Sequence, residues 1–195
     1  TNSGRGAIKA DCVRQEKENL KRFIEGLVND RMTYAFERCV SQMCAGEPYG
    51  LYEYGRVEDL PSITPKALTS LHRRLLETAP IEIFVMGDVK ASAVAALAGP
   101  LFKLGKRRPQ AVPPPTLLPG PAAPREIIEK MEVEQGKLVI GCRTGVTWNH
   151  EDLFPLVVAN GILGAYPHSK LFVNVRERDG LAYSTHSSLD LSKGL

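Results

Sequence analysis

Seven of the sixteen residues from Pro109 to Pro124, PQAVPPPTLLPGPAAP, are proline, and this run limits what the chain can build. Proline fixes φ and carries no backbone N–H, so the run is expected to be extended and unable to join a sheet. At polyproline spacing it would reach roughly 50 Å, far enough to cross the face of a small domain. It divides the 195-residue chain into residues 1–108, a linker at 109–124, and residues 125–195.

Before the linker the helical signal is strong. Leu20, Phe23, Ile24, Leu27 and Val28 fall at the spacing of one buried helix face, and Asn29-Asp30 interrupts it. Met32, Ala35, Phe36, Cys39, Val40 and Met43 repeat the spacing up to Gly46. Thr64-Pro65 opens a third helix, with proline in the first turn and Leu68, Leu71 and Leu75 on one face. IEIFVM, residues 81–86, reads as a strand closed by Gly87, and Asp88 opens an alanine-rich helix whose stripe at 94–104 is expected in the core. After the linker, residues 130–135 and 138–143 read as two strands joined through Gly136. An amphipathic helix is predicted over 151–163, with Trp148 anchoring the loop before it.

The last part of the chain, PHSKLFVNVRERDGLAY, carries the most information about function. Ser169 is placed to cap a helix over Lys170 to Arg178, and Gly180 sits where such a helix stops. A strand-like run, Leu181 to His186, follows at once, so a cationic helix end turns tightly against a segment carrying Tyr183.

This run resembles the second-domain signature of the insulinase-type zinc peptidases, family M16, with Lys170 standing where an arginine often opens the motif. The likeness extends to QEKENLKRFIEGLVNDRMTYAFERC, GEPYG, GRVEDLPSITPKAL, IEIFVMGDV and QGKLVIGCRT, and so covers nearly the whole chain. It is strongest to the bacterial branch described as non-catalytic, encoded beside a sister protein. The resemblance implies an α+β fold of M16 peptidase-like domains, with helices packed on one face of a mostly antiparallel sheet. Residues 1–108 would then be the back half of a first domain and 125–195 the front half of a second. It further implies that Arg176 and Tyr183 line a peptide-binding cleft. Physically, a guanidinium and a phenol can both hydrogen-bond a peptide carbonyl. The alternative is a local pair of Arg176 with Glu177 or Asp179, and Tyr183 packed in a sheet.

Hydrolysis in this family depends on H-x-x-E-H on one helix and a later glutamate, which together hold zinc. His72, His150, His168 and His186 include no two residues four apart, and none follows a glutamate. Glu18 and Glu25 match the family's pair of glutamates seven residues apart, Glu25 at the ligand position and Glu18 behind it. Seven residues is nearly two helical turns, so both lie on one face. They can equally pair with Arg22 and Lys21 as ordinary surface ion pairs. No cofactor is therefore expected in this chain, zinc entering only if a parent protein or partner supplies the histidines, and the chain is expected to be inactive alone.

The composition, 43% hydrophobic and 24% charged, is ordinary for a globular protein, and a net charge of +3 gives no reason to expect nucleic acid. No apolar run is long enough to span a membrane and no secretory leader pattern is present, so the expected place is the cytoplasm. Four cysteines without metal spacing fit a reducing compartment, with Cys39 and Cys142 as small core residues. A cysteine or serine hydrolase is not indicated, since no nucleophile has a positioned base. The expected role is peptide binding or scaffolding with an M16-like sister subunit or a second copy; the alternative is a purely structural subunit with no peptide substrate. Trypsin under limiting conditions is expected to cut first between Arg107 and Arg125, giving two fragments on a gel; first cleavage within residues 13–45 would misplace the boundary.

Overall fold

Helices carry the regular structure. The computed structural model describes residues 7–101, 108–113, 117–121 and 123–195. Five α-helices are present among them: α1 (Ala10–Gly26), α2 (Arg31–Met43), α3 (Pro65–Thr78), α4 (Ala91–Leu101) and α5 (Leu153–Asn160). Two wide-turned π-helical segments, Gly161–Ala165 and Phe172–Arg178, follow α5. The chain divides into two units, each assembled from separated stretches. One gathers Thr1–Asp30 and Tyr52–Pro114, the other Arg31–Leu51 and Pro115–Leu195.

In the first unit, α1 buries Val13, and the short 3-10 turn Val57–Ser62 buries Leu60. Lys17 of α1 donates from Nζ to the Ile63 carbonyl at 3.1 Å, and the Ile8 amide donates to Thr69 Oγ1 of α3 at 3.1 Å. Helix α3 starts as its sequence requires: Thr64 Oγ1 accepts from the Ala67 amide at 3.1 Å, with Pro65 in the first turn. Its last carbonyls, Glu77 and Thr78, accept from the amides of Arg108 and Gln110, each at 2.8 Å. The start of the proline-rich run thus caps α3.

In the second unit, α2 buries Val40, and Cys44 is fully buried just beyond it. Tyr34 and Arg38 on α2 both donate to the Glu129 carboxylate, at 2.7 and 2.6 Å. The tyrosine hydroxyl and the guanidinium hold that carboxyl below its ordinary pKa. After α2 the chain reverses through GEPYG. Gly50 must be glycine here, because a Cβ would stand 2.2 Å from the Cys44 carbonyl oxygen. Inside this reversal Glu47 is buried. Its carboxylate accepts from the Leu118 amide at 2.8 Å and pairs with Arg143 at 2.7 Å. Arg143 in turn donates to the Met43 carbonyl at 2.7 Å.

The expected α+β class does not hold. Among the described residues there is no β-strand and no sheet. Residues 81–86, 130–135, 138–143 and 181–186, all predicted as strands, belong to no ladder. Their sequence pattern is partly visible: Leu138 and Ile140 are 80% and 77% exposed while Val139 between them is half-buried. Alternation selects which face is buried, but a strand also needs a neighbour to take up its N–H and C=O groups, and none is placed beside these segments.

Several burial expectations are also corrected. Leu97 in the 94–104 stripe is 71% exposed, Cys142 and Trp148 are exposed, and α5 shows apolar side chains on all sides rather than one. Residues 102–104 of that stripe lie outside the described residues.

Arg143→Met leaves the buried Glu47 carboxylate without its cation and is expected to lower Tm by roughly 10 °C at pH 7. The Leu118 amide first, and then Arg143, hold the Glu47 carboxyl below its usual value of 4.5. A depressed folded pKa makes its stabilisation complete above that ordinary value and progressively lost as pH falls through the lower, folded one. Wild type should therefore lose Tm across this acidic window more steeply than Glu47→Gln, as thermal melts between pH 7 and pH 2 would show.

Candidate functional site

The segment from Tyr166 to Tyr183 is built outward from Ser169, which is only 1% exposed. Ser169 Oγ accepts from the Phe172 amide at 3.4 Å and its carbonyl accepts from the Val173 amide at 2.9 Å, opening a helix where the sequence places one. From Phe172 the helix widens: the Asp179 amide donates to the Asn174 carbonyl, five residues back, at 3.0 Å. Gly180, at φ +61°, ends it, and the Leu181 amide returns to the Val175 carbonyl at 2.9 Å. That left-handed closure favours glycine and sends the chain back along the helix end.

The closure brings the two predicted residues together. The Arg176 guanidinium carbon lies 5.3 Å from the Tyr183 ring centroid and 4.7 Å from that of Phe172. Residues four apart are neighbours on a helix surface, which is why Phe172 lies beside Arg176. Phe172 was not singled out from the sequence, although its i, i+4 spacing to Arg176 was a readable signal. The local ion pair anticipated for Arg176 is made by its neighbour instead. Arg178 grips Asp179 through Nε and Nη2 at 2.7 and 3.0 Å and Asn174 Oδ1 through Nη1 at 2.9 Å. This pairing holds the Asp179 carboxyl below its ordinary value. Tyr183 is 85% exposed rather than packed in a sheet.

Glu18 and Glu25 belong to the other unit, on the exposed side of α1. Glu25 stands 3.8 Å from Lys21, the ordinary helical pair. Arg22 bypasses the Glu18 carboxylate, donating to the Glu18 carbonyl at 3.4 Å and to Asn19 Oδ1 at 2.8 Å. The histidines are dispersed. His150 Nδ1 accepts from the Asp152 amide at 3.1 Å, and His168 stacks on Tyr166 with ring centroids 5.8 Å apart.

Comparison with known proteins agrees with the signature. The Peptidase M16 inactive domain matches residues 62–195. A Bacillus subtilis protein named "Probable inactive metalloprotease YmfF" is 34% identical over 97% of this chain and 44% of its own length. A Mycobacterium leprae protein named "Uncharacterized zinc protease ML0855" is 31% identical over 95% of this chain and 42% of its own. A crystal structure of a conserved protein from Enterococcus faecalis superposes with a TM-score of 0.72 at 30% identity, covering 99% of this chain and 45% of that one. The chain belongs to the M16 peptidase family and matches its inactive domain. It spans less than half the length of these relatives.

Zinc is the metal this family implies, and the residues present do not fit it. Among the described residues no three His, Cys, Asp or Glu side chains come together, whereas zinc in proteins takes three or four such donors. Glu25, the matched ligand position, faces solvent beside a lysine. No helix among the described residues is long and apolar enough to cross a membrane. Metal analysis of untagged protein is expected to find less than one zinc per chain, and Glu25→Gln to leave that content unchanged; one tightly held zinc per chain would overturn this.

Proposed function

We propose that this chain serves an M16-type assembly as a non-catalytic, peptide-binding element, working with a sister subunit or with the remainder of a longer parent protein. The observation that carries the reading is the placement of Arg176, its guanidinium within reach of the rings of both Phe172 and Tyr183 at an exposed helix end. A guanidinium stacked on aromatic faces keeps its N–H edge free to hydrogen-bond, and its orientation is set in advance. The Tyr183 hydroxyl adds a second group able to donate to a peptide carbonyl.

Support for a partner comes from apolar side chains that stand exposed among the described residues. Phe84 is 85% exposed and Met86 98% in the first unit, and Ile140 is 77% exposed in the second. Unpaired apolar segments of this kind suit the addition of a neighbouring chain's strand or helix. Residues 1–108 and 125–195 would be parts of two M16-like domains joined by the proline-rich run, matching the motif order of the sequence.

Retention of a randomised octapeptide mixture on the immobilised chain tests the reading. Arg176→Ala is expected to reduce retention about tenfold, the scale of one lost charge-assisted hydrogen bond, and Tyr183→Phe several-fold. Both should leave Tm within a few degrees of wild type, because the Arg176 edge and the Tyr183 hydroxyl anchor no core. A fall in Tm with unchanged retention per folded molecule would assign both residues a purely structural role.

A further inference from the structure

We infer that the Arg176 site selects a carboxylate, so that the peptide it holds is one with a free C-terminus or an acidic side chain; this rests on the peptide-binding reading above. The inference starts from how charge is distributed over the helix end. Three cations lie close in sequence: Lys170, Arg176 and Arg178. Asp179, the acid positioned to neutralise them, is fully engaged by the Arg178 fork, with both of its oxygens in contact. Glu177 is adjacent to Arg176 in sequence, and neighbouring residues on a helix point to different sides. Arg176 consequently makes no ion pair with a carboxylate among the described residues. Its recorded contacts are the two ring faces.

A guanidinium in this setting differs from an ordinary surface arginine. The Phe172 and Tyr183 rings beside it limit the side-chain freedom that binding would otherwise cost. The guanidinium offers a fork of N–H donors whose spacing matches the two oxygens of a carboxylate better than the single oxygen of a neutral carbonyl. Leu181, 77% exposed, follows directly: its amide is hydrogen-bonded to Val175, one residue before Arg176. An apolar side chain next to the ligand's carboxylate would rest there. A free C-terminus and an internal Asp or Glu offer the same chemistry to the fork.

Two versions of the octapeptide mixture separate these sources, one ending in free acids and one in amides, each applied to the full chain at low and at moderate salt, with retained peptides sequenced. A C-terminal ligand predicts that the acid mixture is retained roughly tenfold better than the amide mixture. An acidic side chain predicts comparable retention of both, with Asp and Glu enriched among the peptides kept. In either case Arg176→Gln abolishes the preference and Arg176→Lys, which keeps the charge but not the fork, retains only part of it; Tm of each variant confirms folding. Retention without any acid preference would overturn this inference and leave the peptide-binding reading standing. Failure to retain either mixture would overturn both.

Discussion

The buried ion pair between Glu47 and Arg143 holds the second unit together. It joins the reversal after α2 to a segment almost a hundred residues later, and it does so from inside, with the Glu47 side chain 1% exposed and that of Arg143 11%. A buried carboxylate survives only when it is paired, and here the Leu118 amide and the guanidinium both meet its Oε1. Arg143 spends its remaining reach on the Met43 carbonyl at the end of α2. Leu118 within the proline-rich run, the last turn of α2 and Arg143 thus meet at one charged contact. Around it the buried apolar set is small: Val40, Cys44, Val146 and Leu191. With so little apolar burial, a polar pair decides which segments meet, the kind of register role in which buried charges are best attested.

A second polar cluster secures the other edge of the same unit. Tyr49 is hydrogen-bonded to Asp190, and burial together with that bond pushes the tyrosine pKa up to about 12. Burial also pushes Asp190 upward, but the hydrogen bonds from Ser192 and Tyr49 outweigh it and leave the carboxyl below its ordinary value. The Gly194 carbonyl accepts from the amides of Thr144 and Gly145, at 2.8 and 3.1 Å. The residues flanking Arg143 are therefore tied on both sides, to the reversal after α2 and to residues 190–195. The wide turn after α5 is tied to the segment that follows Tyr183, the Gly164 carbonyl accepting from the Ser187 amide at 3.2 Å.

Two nearby arginines, Arg176 and Arg178, divide the local contacts between them. Arg178 completes the local electrostatics by chelating Asp179, which leaves Arg176 to the aromatic rings. Wide turns are uncommon because their hydrogen bonds are poorer, and where they occur inside helices they are often tied to a site. The chain belongs to the M16 family, and among the described residues no cluster of His, Cys, Asp or Glu side chains could hold a metal.

Local chemistry was legible in the sequence. The Thr64-Pro65 start of α3, the Ser169 cap, the Gly180 stop and the seven-residue spacing of Arg176 and Tyr183 all rest on interactions within a few residues, and the structure has them where the pattern puts them. The family, too, followed from motif order. Pairing was not legible. Four segments with strand-like composition remain without ladders, because a strand is defined by a neighbour that composition does not name. Nor could Glu47 and Arg143 be read as partners, since each looks like an ordinary surface charge until the chain buries both. The sequence by itself determined the local helix signals at Thr64, Ser169 and Gly180 and named the candidate site residues. Only the tertiary structure decided that Asp179 would go to Arg178 and Glu47 to Arg143, because which charge finds which partner depends on distances that only the folded chain sets.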